Sequence, residues 1–81
     1  MIKKLFTTEE LKSNGFTEAT EGGFRYLLLE LPSGVTLVTG DVEDTGEELP
    51  EDEFHRVYDL SDLKTQLSDA QVKTLIYGEG Q

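Results

Sequence analysis

Apolar residues fall along this chain in short runs, and the polar residues between them carry signals for starting and stopping elements. In the first segment Phe6, Leu11 and Phe16 are separated by "TTEE" and "KSNG". Thr7 and Glu10 have the spacing of a capping box, and Phe6 and Leu11 that of a hydrophobic staple. Glu9 and Glu10 lie at the positive end of the helix dipole and Lys12 near its negative end. Gly15 supplies a left-handed stop. The spacing predicts a helix over 8–13, too short to stand alone, so Phe6, Leu11 and Phe16 must pin it to a core. Ile2 to Leu5 form either a short edge strand or an arm.

The next run, "FRYLLLEL" at 24–31, is followed by "PSG" and by "VTLVT" at 35–39. Two β-prone runs around a Pro- and Gly-containing turn predict a hairpin. Period-2 alternation puts Arg25, Leu27, Leu29 and Leu31 on one face, the better core candidate. Phe24, Tyr26, Leu28 and Glu30 take the other face, which is half apolar and so is either covered or a binding surface. Val35 and Leu37 share a face of the second strand. Residues 16–21 are a loop or a preceding strand, with Gly22-Gly23 as its turn in the second case.

"FHRVYDL" at 54–60 predicts a third strand, with Phe54, Arg56, Tyr58 and Leu60 alternating against His55, Val57 and Asp59. The remainder has helical spacing. A single helix over 62–77 would set Leu63, Leu67, Ala70 and Tyr77 against Val72, Leu75 and Ile76 on the opposite side. A break at Leu67-Ser68 removes the conflict. Ser68 and Gln71 have capping-box spacing and Leu67 and Val72 staple spacing. The expectation is a short helix from Ser61, a second over 69–77, and a flexible tail at 78–81. The fold class expected is therefore α+β, one domain over 1–81: a small antiparallel sheet, made of the hairpin plus a third strand, with a short N-terminal helix and one or two C-terminal helices packed on one face.

Composition narrows the class. A chain of 81 residues suits one domain with a thin core. Its hydrophobic share of 36% is too high for a disordered chain. There is no cysteine, which for a small domain favours a reducing cytoplasm. The start "MIKKLFTTEELK" lacks the apolar run of a signal peptide, and the longest apolar run, "YLLL", is far short of a membrane span.

Charge changes the picture more. The net charge is −10, from 17 acidic and seven basic residues. Eight of the acids lie in "DVEDTGEELPEDE", 41–53, leaving nine acids against seven bases elsewhere, a balance of −2. The excess is local. It speaks against direct binding of nucleic acid or anionic membranes, which require Lys and Arg, and for basic partners.

Catalytic chemistry has little material. His55 is the single histidine, and Ser13, Ser33, Ser61 and Ser68 sit at expected turns and caps. The expectation is no enzyme, no catalytic residue, no cofactor and no metal. A weak calcium-binding loop is the nearest alternative: counted from Asp41 as an EF-hand loop, Gly46 is in register and Asp52 closes it, but Glu43 stands third, Thr45 fifth, Glu48 eighth and Pro50 tenth.

Three uses of the acidic loop 41–53 remain. It is a solvated surface, or a local decoy for a basic, phosphate-binding groove, such as that of a nuclease or other nucleic-acid-binding protein, or the soluble side of an assembly module. For the decoy the contact residues are Asp41, Glu43, Asp44, Glu47, Glu48, Leu49, Glu51, Asp52, Glu53 and Phe54, with Leu49 and Phe54 as apolar anchors, Val42 as a third, and Asp59 and Asp62 alongside. For self-association, a homodimer, they are Phe24, Tyr26 and Leu28 on the hairpin face.

The layout of "GFTEATEGGFRYLLLELPSGVTLVT" followed by "VYDLSDLKTQL" resembles that of small, mostly uncharacterised proteins of bacteriophages and other mobile elements. The resemblance implies a phage or bacterial origin, residence in the cytoplasm of the bacterial or infected cell, and an inhibitor acting against host defence. It carries no functional residue across, and the acidic loop is not part of it.

Overall fold

The structure is a computed structural model describing residues 4–77. Within them the order is β1 (Phe6–Thr7), α1 (Thr8–Ser13), β2 (Thr17–Glu21), β3 (Phe24–Glu30), β4 (Thr36–Thr39), β5 (Val42–Glu43), β6 (Phe54–His55), β7 (Val57–Asp59), β8 (Asp62–Gln66) and α2 (Asp69–Tyr77). The expected α+β class is corrected to a mostly β fold: eight strands in two antiparallel sheets, with one short helix near each end. The larger sheet runs β2-β3-β4-β7-β8, with β5 also on β3; the smaller pairs β1 with β6.

The local signals act as their chemistry requires. Thr7 caps α1, and its hydroxyl accepts from the Glu10 amide while the Glu10 carboxylate accepts from the Thr7 amide at 3.0 Å. Gly15, at φ 101°, ends the helix. Its amide donates to Lys12 and the Phe16 amide reaches back to the Leu11 carbonyl at 3.1 Å, a Schellman closure. At the other end Ser68 and Gln71 form the second reciprocal cap, and α2 occupies 69–77 as its spacing predicts.

Gly22 and Gly23 both adopt positive φ, the conformation of a two-residue type I′ turn, so 17–21 is a strand and not a loop. The turn after β3 holds Pro32 and Ser33, with Gly34 at φ 97° and the Leu31 amide donating to Val35 at 2.8 Å. The expected hairpin is present with Leu28 opposite Val38. Strands β4 and β5 are one path interrupted by a bulge. Pairing resumes with Arg25 opposite Val42, so 39–41 face only Tyr26 and Leu27. The Thr39 hydroxyl accepts from the Leu27 amide at 2.9 Å there.

Two further expectations are corrected. The third strand, 54–60, is two strands on different sheets: β6 joins β1, and beyond Arg56 β7 joins β4 and β8. The helix expected from Ser61 is strand β8. Asp59 closes the turn by accepting from the Ser61 amide and hydroxyl. Asp62 then pairs with Asp59 and Gln66 with Tyr58, leaving 63–65 without partners on β7. The three- and four-residue spacing of Leu60, Leu63 and Leu67 imitates a helix, and this irregularity accommodates it within a strand. At the chain start Lys4 and Leu5 lie outside any strand; the rest of that segment, and the tail 78–81, lie outside the described residues.

One core holds the parts together. Leu27, Leu37 and Val57 from the inner sheet face are fully buried with Phe6, Leu11 and Phe16 around α1, and Leu67 and Val72 at α2. Each such side chain contributes about 1.5–3 kcal/mol by leaving water. Both helices therefore cover the same face of the sheet, and the Tyr77 hydroxyl donates to Asn14 at 3.0 Å to join their ends.

Candidate interaction face

The acidic segment is held to the body by its backbone. Its first part forms β5, and the Asp44 amide donates to the Gly23 carbonyl at 3.0 Å. Arg25 emerges from the inner sheet face beneath it. The guanidinium donates to the Asp44 carboxylate at 2.6 Å and to the Glu47 carbonyl at 2.5 Å, and lies 3.5 Å from Glu18. Asp44 also accepts from the Gly46 amide. That hydrogen bond, then the Arg25 guanidinium, holds its carboxyl below the usual carboxylate range. At the far end the carbonyls of Glu53 and Glu51 accept from the first amides of α1, at Thr8 and Glu9, at 3.0 and 3.1 Å. These amides have no partner within a helix, so the segment and the helix end satisfy each other.

The side chains do the opposite and face solvent. Asp41, Glu43, Glu47, Glu48, Glu51, Asp52 and Glu53 are exposed, and among the described residues no ion pair involves any of them. Asp44 alone is neutralised internally. Leu49 is half-buried and packs on the core, Val42 is half-buried, and Phe54 is 64% exposed. Asp59 is engaged by Ser61, which lowers its pKa through the amide first and the hydroxyl second. Among the described residues no three acids or histidines come together as a metal ion would need. The buried His55 shares a 2.7 Å hydrogen bond with Thr8. Desolvation pushes its pKa below the ordinary value, against the opposing charge of Glu53.

A second feature adjoins the segment. The outer face of the large sheet is uncovered and forms an open trough of ≈ 860 Å³. The register builds it row by row, because paired residues share a face. Leu28, Val38 and Tyr58 make one row across β3, β4 and β7. Glu21, Phe24 and Glu43 make another across β2, β3 and β5. Leu60 and Leu63 extend the floor, and Glu30 and Asp41 also line it, with no Lys or Arg. The structure thus joins the predicted hairpin residues Phe24, Tyr26 and Leu28 to the start of the acidic segment on one side of the molecule.

Sequence reasoning missed Glu21 and Glu30 as rim residues and Leu63 as floor. Alternation had already put Tyr58 and Leu60 on one face, opposite the core residues His55 and Val57; what was missing was the pairing partner. Among the described residues no helix is long and apolar enough to cross a membrane. No protein-family model, curated protein or solved structure matches the chain.

Proposed function

We propose that the protein is a non-enzymatic binding protein that sets its acidic segment, and the sheet face beside it, against a basic surface of a partner protein. One observation supports this reading above the others. Seven exposed carboxylates, without a cation partner among the described residues, sit on a backbone fixed by Arg25 at one end and by α1 at the other. Such pre-organisation lowers the entropy lost on docking. The charge accelerates encounter and rejects acidic competitors. Exposed ion pairs alone contribute little to affinity, and the neighbouring apolar floor supplies the surface that can be desolvated. A basic groove that otherwise holds phosphates has the matching chemistry, so occupancy by this protein would exclude nucleic acid from it. On this reading, which the phage-like layout supports, the inhibition would act in the cytoplasm of a bacterial cell, against a defence protein.

The same geometry weighs against assembly through the outer face. Two copies stacked on it would bring Glu21, Glu30, Asp41 and Glu43 of each into apposition, and like charges in contact are costly.

The test is affinity capture from extracts of the cells that make the protein, at low and moderate salt. Wild type is compared with a variant carrying Glu47→Gln, Glu48→Gln, Glu51→Gln and Asp52→Asn. Loss of a basic protein from the captured set, with circular dichroism unchanged, supports the reading. An identical set from both proteins, including an empty one, overturns it.

A further inference from the structure

Resting on the reading of this side as a contact for basic partners, we infer that the outer trough receives a short amphipathic helix of the partner, with its apolar stripe on the floor and Lys or Arg over the acidic rim. The floor is an open, largely apolar surface with carboxylates at its margin. Val38 is buried, at 7% exposed, yet does not belong to the cluster that fills the inner face. Phe24 and Leu60 remain 50% and 54% exposed at the margins. From Phe24 to Leu28 the floor runs about 13 Å along the strand, and from β3 to β7 about 10 Å across it. A helix is about 10–12 Å wide and advances about 1.5 Å per residue, so two to three turns fill the trough.

The backbone chemistry excludes a strand as occupant. Strand β3 is paired on both sides, by β2 and by β4, and β4 by β3 and β7. At the centre of the floor, where β3 and β4 lie inside the sheet, the ladder is taken up on both sides, so an occupant there can offer only side chains. The inner face of the same sheet is covered in this way, by α1 and α2. The rim fixes the occupant's charge. Glu21 and Glu43 flank Phe24 in one row, with Glu30 and Asp41 at the edges and no cation lining the trough. An acidic helix, an anionic lipid surface or a second copy would be repelled. Lysine and arginine stems can lie along the apolar floor and place their charges over Tyr26 and Tyr58 or at the acids.

The probe is a synthetic Leu/Lys amphipathic peptide of about 14 residues, some four helical turns, with one Trp on its apolar stripe. The protein contains no Trp, so emission reports the peptide alone. The expected result is saturable binding with a blue shift, no binding by the Glu-for-Lys analogue, and affinity at least about tenfold weaker for Phe24→Ser and for Leu60→Ser. Both positions are exposed, so thermal unfolding should be unchanged and confirms the fold. Absence of binding, equal binding of the Glu analogue, or unchanged affinity in both Ser variants overturns the inference. So does a sedimentation dimer of the protein alone that Leu28→Lys dissolves, since a second copy would then be the occupant. The two readings fail separately. If only the variant with neutralised loop acids loses the peptide, the contact is the acidic segment and the trough is not used. If only the trough variants lose it and the captured partners do not depend on the loop acids, the segment reading fails and the helix site stands.

Discussion

Arg25 and Asp44 meet at 2.6 Å across 19 positions of sequence, and through this pair a sheet residue sets the path of the acidic segment. The Arg25 side chain is only 11% exposed, and Asp44 is 29% exposed. Replacing the arginine leaves Asp44, the Glu47 carbonyl and Glu18 without their shared donor. Arg25→Gln is expected to lower stability modestly, because the arginine side chain is largely buried while its partners are hydrated. Urea unfolding measures the loss. Hydrogen exchange should show faster exchange of the Asp44 and Gly46 amides; unchanged protection there would mean that β5 alone holds the segment.

The two faces of β3 give a sharper contrast. Leu27 is fully buried on the inner face, and Leu28, next in sequence, lines the outer trough. Leu27→Ala is expected to cost about 2–5 kcal/mol. Leu28→Ser should cost under about 1 kcal/mol, as a substitution on an open face. Comparable losses at both would mean that the outer face is covered by part of the chain itself.

The faces of β3 were legible because alternation needs no knowledge of partners. So were the caps at Thr7–Glu10, Gly15 and Ser68–Gln71, each a local chemical signal. The strand β8 was not legible. Its unpaired residues 63–65 break the period of two, and the leucines then repeat at helical intervals. The split at Arg56 was hidden for a related reason: continuous alternation through 54–60 says nothing about a change of sheet. Of the site, the charge and its position could be read directly, whereas its clasp and its neighbour could not. Arg25 sits among leucines on an inward face, and Glu21 and Glu30 become a rim only through cross-strand register.

His55 makes stability depend on pH in a stated direction. Its pKa in the fold lies below the ordinary 6.5 because burial disfavours the charged form. The unfolded chain therefore binds more protons in the window just below 6.5, and stability rises with pH there. The contribution is complete above 6.5 and is lost as pH falls through the folded value. Urea midpoints should drop between pH 7.5 and 5.5. His55→Gln, which can still pair with the Thr8 hydroxyl, should show a flatter profile. An equal slope in the variant would assign the dependence to the carboxylates.

Salt should stabilise the protein, because seven acids of 41–53, without ion-pair partners among the described residues, repel one another over a range that salt shortens to about 8 Å at physiological strength. Thermal midpoints are expected to rise between low and moderate salt. The variant neutralised at Glu47, Glu48, Glu51 and Asp52 should start higher and rise less. Equal salt dependence in both proteins would show that the repulsion arises elsewhere on the surface.

The outward anionic rim around an uncharged floor is most directly tested by paramagnetic relaxation of backbone amides with paired cationic and anionic nitroxides of equal size. The expected result is excess broadening by the cationic probe at 41–53 and at Glu21, Phe24 and Glu30, with near-equal effects at Lys12 and along α2. Equal broadening by both probes at the rim would contradict it.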